Sequence, residues 1–134
     1  LHGVHRIICA NRQMMDELVY NLCDNAIRYN NPGGRVDITV DAAVAFDKTA
    51  ETGATIIEVK DTGIGISKEH QERIFERFYR VDKSRSKSTG GTGLGLAIVK
   101  HIVAAHKNAS LSLTSEPGKG TCIRVDFKMK TNLE

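Results

Sequence analysis

A chain of 134 residues with 40% hydrophobic and 26% charged residues has the make-up of one globular domain, able to bury about two-thirds of the surface its unfolded form exposes. Its formal charge of +3, from 19 Lys and Arg against 16 Asp and Glu, is too small and too scattered for a nucleic-acid groove. No apolar run approaches the roughly 18 residues that would cross a membrane, and no targeting peptide is visible.

In chain order, Arg6-Ile7-Ile8-Cys9-Ala10 reads as a short strand, and the start at Leu1, without a cap or an initiator Met, reads as that of a domain expected to be excised from a longer protein. From residue 12 to about 30, Met15, Leu18, Val19, Leu22, Cys23 and Ala26 recur at helical spacing, and Asn30-Asn31-Pro32-Gly33-Gly34 ends the pattern. At about 100° per residue, Asn21, Asn25 and Arg28 share one flank of the apolar stripe, with Glu17 and Asp24 just beyond them. Amide oxygens there suit a hard cation, while amide N–H groups and a guanidinium suit phosphate oxygens.

Residues 35–41 and 54–60 alternate as two strands of a hairpin pair, with a long surface loop between them. The second strand runs into Asp61-Thr62-Gly63-Ile64-Gly65-Ile66, which places a carboxylate at the C-terminal edge of a sheet strand with two glycines behind it. Taken alone this is an Asx-turn leaving a strand. Ser67, Glu69 and Glu72 open a short helix, followed by Ile74-Phe75-Glu76-Arg77-Phe78-Tyr79-Arg80, whose Phe75 and Phe78 read by themselves as core. Residues 81–89 are polar, basic and serine-rich, hence expected to be mobile.

Gly91-Thr92-Gly93-Leu94-Gly95 then opens a second helix over residues 96–106. A glycine run at a helix start offers backbone N–H groups to a phosphate chain. It is neither a Walker loop, since no Lys-Ser or Lys-Thr follows, nor the dinucleotide fingerprint, because Leu96 stands where the third glycine belongs. Strands over 110–114 and 121–128, joined through Glu116-Pro117-Gly118-Lys119-Gly120, complete an α/β two-layer sandwich, a mixed and mostly antiparallel sheet with helices on one face. Cys9, Cys23 and Cys122 lie apart in apolar segments, which reads as reduced core thiols in a cytoplasmic setting.

Five motifs in order cover nearly the whole chain: Asn21-Leu22-Cys23-Asp24-Asn25-Ala26-Ile27-Arg28-Tyr29, Asp61-Thr62-Gly63-Ile64-Gly65, the Phe75/Phe78 segment, Gly91–Gly95, and Gly118-Lys119-Gly120-Thr121. In this the chain resembles the catalytic ATP-binding domain of bacterial sensor histidine kinases, especially the phosphate-regulon sensor type, with its N box, glycine boxes and F box. The resemblance implies a Bergerat ATP fold. It implies that Asp61 accepts from the adenine amine, that Asn25 is the magnesium ligand, and that Asn21, Arg28 and Arg80 contact the phosphates. Tyr29, Ile66 and Thr121 would lie against the nucleoside, Gly63, Gly65, Gly91, Thr92, Gly93, Leu94 and Gly95 would line the nucleotide, and a lid of about residues 79–92, beginning at Tyr79, would cover it. Arg28 stands where the family often has Lys, so a point contact becomes a fork.

The family's reaction transfers the γ-phosphoryl group of Mg-ATP to a histidine in a His-Glu or His-Asp setting on a helical dimerisation domain. His2, His5, His70, His101 and His106 have no such setting. The chain is therefore expected to be the ATP-binding half of a kinase, with a histidine-bearing dimerisation domain of the same parent as partner, a response regulator downstream, and no nucleic-acid or membrane contact of its own. The parent is expected to be a bacterial membrane sensor with this domain on the cytoplasmic side. The rival readings are an anti-sigma-type serine kinase, a nucleotide-binding regulatory module without turnover, and a gyrase-type ATPase, the last disfavoured by Asn21 standing where those relatives carry a glutamate base.

Overall fold

The computed structural model of the chain describes residues 1–4, 8–43, 54–79 and 93–128. Its elements are β1 (His2–Gly3), α1 (Arg12–Arg28), β2 (Val36–Ala43), β3 (Ala54–Asp61), α2 (Lys68–Gln71), α3 (Gly95–Ala105), β4 (Ala109–Glu116) and β5 (Gly120–Lys128). The five strands form one sheet in the order β1-β2-β3-β5-β4. β1 runs parallel to β2, and the other pairs are antiparallel. The expected mixed, mostly antiparallel sheet is therefore present.

The period-2 pattern decides which face is covered. Ile57 and Val59 of β3 stand in register with Val125 and Ile123 of β5, and Leu111 and Leu113 of β4 continue the same rows. Onto this face pack Leu18, Leu22 and Ala26 of α1 with Val99, Ile102 and Val103 of α3, all buried with Phe127 in one core. The α1 residues are four apart, so they form one stripe down the helix; truncating the fully buried Leu22 to Ala would cost about 2–5 kcal/mol. The opposite face carries Glu58, Lys60, Cys122, Arg124 and Asp126, the alternate residues of the same strands.

α1 starts at Asn11, whose side chain accepts from the Met14 N–H at 3.0 Å, and ends at Tyr29 before a turn in which Gly33 takes φ 77°. α2 is a single turn, and Ser67 occupies its N-cap position without a side-chain cap bond.

Three expectations are corrected. The strand expected over Arg6–Ala10 is absent at residues 8–10; the edge strand lies earlier, at His2–Gly3, because Ile8 packs on the core rather than in a ladder. Phe78 is not core: it is 69% exposed and its φ of 63° turns its side chain out of the helical path. Cys9 is not a core thiol but an exposed one, while Cys23 and Cys122 are half-buried, and all three are free.

Candidate functional site

At one end of the sheet the inward-facing rows stop being apolar. The register aligns Val36, Asp61, Thr121 and Ser115 across β2, β3, β5 and β4, so three polar side chains stand in a row where the pattern calls for hydrophobes. Asp61 and Thr121 are both buried. Asp61 Oδ1 accepts from the backbone N–H of Gly63 at 2.9 Å and of Thr121 at 3.2 Å. Its Oδ2 has no partner among the described residues, and no fully buried side-chain N or O there lacks one, so Oδ2 faces open space. Burial raises the Asp61 carboxyl above the usual carboxylate range, and the two backbone N–H bonds pull it partly back. A buried carboxylate with one anchored and one free oxygen is an acceptor held ready for a donor.

Two glycines let the backbone close up around it. A Cβ on Gly63 would stand 2.3 Å from Tyr29 O, and one on Gly120, where φ is 125°, 2.0 Å from Asp61 O. Gly65, at φ 72°, is as closely approached by Glu116 O. The turn after Asp61 is sewn to its surroundings on both sides. Ile64 N–H donates to Tyr29 O at 3.2 Å, and Gly118 N–H donates to Ile64 O at 2.8 Å. Ile66 N–H donates to Ser115 Oγ at 2.8 Å, and Ser115 Oγ lies 2.8 Å from Thr121 Oγ1. Gln71 Nε2 closes the group with bonds to Ile66 O and Ser115 O.

α1 links this cradle to the start of α3. Tyr29 and Asn30 at its end meet Gly63, and Asn21 meets Gly95: a Cβ there would lie 3.2 Å from Asn21 Oδ1. Between Asn21 and Tyr29 the helix rises about 12 Å, so the Gly95 end and the Gly63 end of the site stand that far apart along α1. Asn21 Nδ2 donates to Glu17 O at 2.7 Å, leaving its oxygen toward Gly95. Arg28 Nε donates to Asp24 Oδ2 at 2.8 Å in an i,i+4 pair. The Asn25 side-chain amide makes no hydrogen bond among the described residues. Leu94 precedes the first turn of α3, and Gly93 has φ 75°.

The base of the expected lid is closed by Phe78 N–H donating to Gly93 O at 2.9 Å. The Tyr79 hydroxyl is hydrogen-bonded to His70 Nδ1, and its ring lies 4.7 Å from the Arg73 guanidinium. Phe75 sits in the groove between α3 and β4, with Lys100, Val103 and Leu111. Arg80, Gly91 and Thr92, with the rest of the expected lid, lie outside the described residues, as does most of the loop between β2 and β3.

Sequence reading missed Ser115, Gln71 and Asn30. Ser115 was visible in principle, because it continues the inward series of Leu111 and Leu113 as a polar residue. Asn30, which donates to Arg35 O and accepts from Thr62 Oγ1, looked only like a helix stop. Among the described residues no group of three or more His, Cys, Asp and Glu converges as a metal cage, and no helix is long and apolar enough to cross a membrane.

The sequence matches the family described as histidine kinase-, DNA gyrase B-, and HSP90-like ATPase over residues 10–131. It is 49% identical over 117 residues to the sensor histidine kinase RppB of Synechocystis sp., covering 87% of this chain and 24% of that protein. Over 103 residues it is 52% identical to the sensor-like histidine kinase SenX3 of Mycolicibacterium smegmatis, covering 77% of this chain and 24% of that protein. The chain thus spans about a quarter of the length of these relatives. Among solved structures it is similar to the mycobacterial sensor histidine kinase MprB, with a TM-score of 0.68 and 29% identity over 90% of this chain and 74% of that one. It is also similar to full-length ShkA in complex with AMPPNP, with a TM-score of 0.66 and 26% identity over 92% of this chain and 23% of that one.

Proposed function

The chain belongs to the histidine kinase-, DNA gyrase B-, and HSP90-like ATPase family, among the catalytic domains of sensor histidine kinases, and on that premise we propose that it holds Mg-ATP for transfer of the γ-phosphoryl group to a histidine on a separate dimerisation domain of its parent protein. The observation that carries the reading is the Asp61 carboxylate, buried in a glycine-walled cradle with Oδ2 unpartnered among the described residues. Such an acceptor pairs with the exocyclic amine of adenine; the carbonyl of guanine would leave it unpaired and repelled.

Within this reading Gly63 and Gly120 let the backbone pack closely around Asp61, with Thr121 beside the base and Tyr29 and Ile66 against the nucleoside. Asn21, Arg28, Arg80 and the backbone of Gly91, Thr92, Gly93, Leu94 and Gly95 hold the phosphate chain. The donor set fits magnesium, which takes few protein ligands and completes its shell with phosphates and water. The Asn25 amide, without a hydrogen bond among the described residues, would be its protein ligand, and the ion would supply charge neutralisation on the phosphates. Arg28 serves them while paired to Asp24, which fixes its fork in place. Asn21 cannot take a proton, so the chain's own residues position ATP and stabilise charge. The attacking nucleophile comes from the partner's imidazole. A response regulator downstream and a bacterial membrane-bound parent complete the proposal.

The test is to mix the chain, γ-labelled ATP and magnesium with a histidine-bearing helical domain of a sensor kinase. Acid-labile, base-stable label on that domain supports the reading. Label on serine, or none on any such domain despite tight ATP binding, overturns it.

A further inference from the structure

α1 and α3 pack against each other through Leu18, Leu22, Ala26, Val99, Ile102 and Val103, and two polar meetings flank that seam and run in opposite directions: Asn21 meets Gly95, and Asn11 meets His106. The helices are therefore antiparallel, with one polar contact at each end of α3. The second contact lies about 15 Å along α1 from Asn21, at the end away from the candidate phosphates. There the backbone N–H of Asn11 donates to His106 Nε2 at 3.1 Å, and His106 Nδ1 lies 2.8 Å from Ile102 O in the last turn of α3. A backbone N–H only donates and a carbonyl only accepts. Both contacts are satisfied by one state alone, the neutral imidazole with its proton on Nδ1.

The ring is held in that orientation. It stands edge-on to the buried Phe127 at 6.3 Å between centroids and 85° between planes. Two residues on, Asn108 Nδ2 reaches Cys9 O at 3.4 Å and Lys128 O at 3.2 Å, so the chain leading into α1 is tied at residues 9 and 11 by two side chains from the α3–β4 turn. An apolar residue at 106 could pack against Phe127 equally well. The bridge between the helices is the Nε2 acceptor, and the Nδ1 bond to Ile102 O within α3 orients the ring for it.

We propose that His106 is a positioning residue for the nucleotide site, a neutral clasp that joins the start of α1 to the end of α3 and so keeps Asn21 and Asn25 aligned with the α3 N-terminus. This rests on the reading of those groups as the phosphate side. His106→Leu keeps the packing and removes both bonds; His106→Gln restores one N–H donor and one oxygen acceptor. Mg-ATP affinity of the 134-residue chain is measured by calorimetry for each, with histidine ring 15N shifts recorded on the wild type.

The expected results are an Nδ1–H tautomer for His106, a fivefold or greater loss of affinity in the Leu variant, and recovery to within twofold of wild type in the Gln variant. An Nε2–H tautomer, unchanged binding by the Leu variant, or a Gln variant no better than Leu overturns the clasp. Should His106→Leu fail to fold, Asn108→Ala, which cuts only the side-chain ties to the Cys9 and Lys128 carbonyls, replaces it: a threefold or greater loss supports the proposal and wild-type binding overturns it. Failure of the wild type itself to bind ATP would instead overturn the nucleotide reading.

Discussion

Asp61 and Thr121 stand opposite one another on β3 and β5, and the backbone N–H of Thr121 donates to Asp61 Oδ1 at 3.2 Å. The sheet ladder itself thus aims the carboxylate: one oxygen is fixed by the neighbouring strand and by Gly63, and the other is left for a ligand. A carboxylate held this way needs no ligand to organise it.

The first prediction separates binding from stability at Asp61. Burial raises its carboxyl above the usual range, and a carboxyl raised in the fold favours the folded state only while protonated. That contribution is present below the ordinary carboxylate range and is lost as pH rises through the raised value. At pH 7 the ionised Asp61 is a burden on the empty fold. Asp61→Asn retains an oxygen for both backbone N–H donors and removes the charge. Its thermal midpoint should match or exceed that of wild type at pH 7, and the gap should shrink toward pH 4. ATP affinity should fall roughly ten- to a hundredfold, the about 1.5–3 kcal/mol of a lost charge-assisted bond. Wild type should prefer ATP over GTP by a similar factor. Equal binding of the two nucleotides in calorimetry would remove Asp61 from the adenine site.

A second prediction concerns Gly63, whose place in a glycine box tempts a purely ligand-based explanation. An added Cβ would lie 2.3 Å from Tyr29 O and 2.9 Å from Asp61 Oδ1, so the α1 end and the Asp61 turn must separate. Gly63→Ala should cost about 1–3 kcal/mol in urea unfolding without nucleotide. Gly118→Ala meets no atom within 4 Å but stands at φ 80°, and should cost about 1 kcal/mol through backbone strain alone. If Gly63→Ala is as stable as wild type, the glycine serves the nucleotide and not the packing.

What the sequence made legible and what it hid follow from the same physics. The alternation in β3 and β5 and the four-residue spacing of Leu18, Leu22 and Ala26 are local patterns, and the elements fell where those patterns put them. Asp61 was legible because it ends such a series. Ser115 ends another, but its meaning depends on register with Thr121, which is a property of the pair and not of either strand. The mistaken strand at Arg6–Ala10 came from apolar residues that bury by packing, as Ile8 does, without pairing. Phe78 shows the converse, an aromatic residue turned outward by a positive φ that no periodicity encodes. Asn11 and His106, 95 residues apart, carry no local signal.

The third prediction orders the thiols. Burial, then the charge and hydrogen bond of Glu58, push Cys122 up to about 11, which leaves on the order of one thiolate in a thousand at pH 8. Cys9 is exposed. Iodoacetamide at pH 8 followed by peptide mass spectrometry should find Cys9 modified first and Cys122 well behind it. Glu58→Gln removes the carboxylate charge and should speed Cys122. Modification of Cys122 ahead of Cys9 would contradict the placement of β5 in the sheet.

The last prediction is that the chain binds ATP but hydrolyses it slowly. Hydrolysis needs a general base within reach of the attacking water, and on the flank of α1 that faces Gly95 the group nearest the candidate phosphates is the Asn21 amide. Its Nδ2 is committed to Glu17 O and its oxygen cannot hold a proton at neutral pH. Asp24 is engaged with Arg28. Of the other two carboxylates on α1, Asp16 and Glu17, both exposed, Glu17 lies one turn before Asn21, and its backbone carbonyl, not its side chain, is what meets Asn21. Steady-state phosphate release should therefore sit near background and be unchanged by Glu17→Ala. Adding a histidine-bearing helical domain should consume ATP with the label retained on protein. Turnover at rates typical of an ATPase, about 1 per second or faster, abolished by Glu17→Ala, would replace the kinase reading with that of a gyrase-type ATPase.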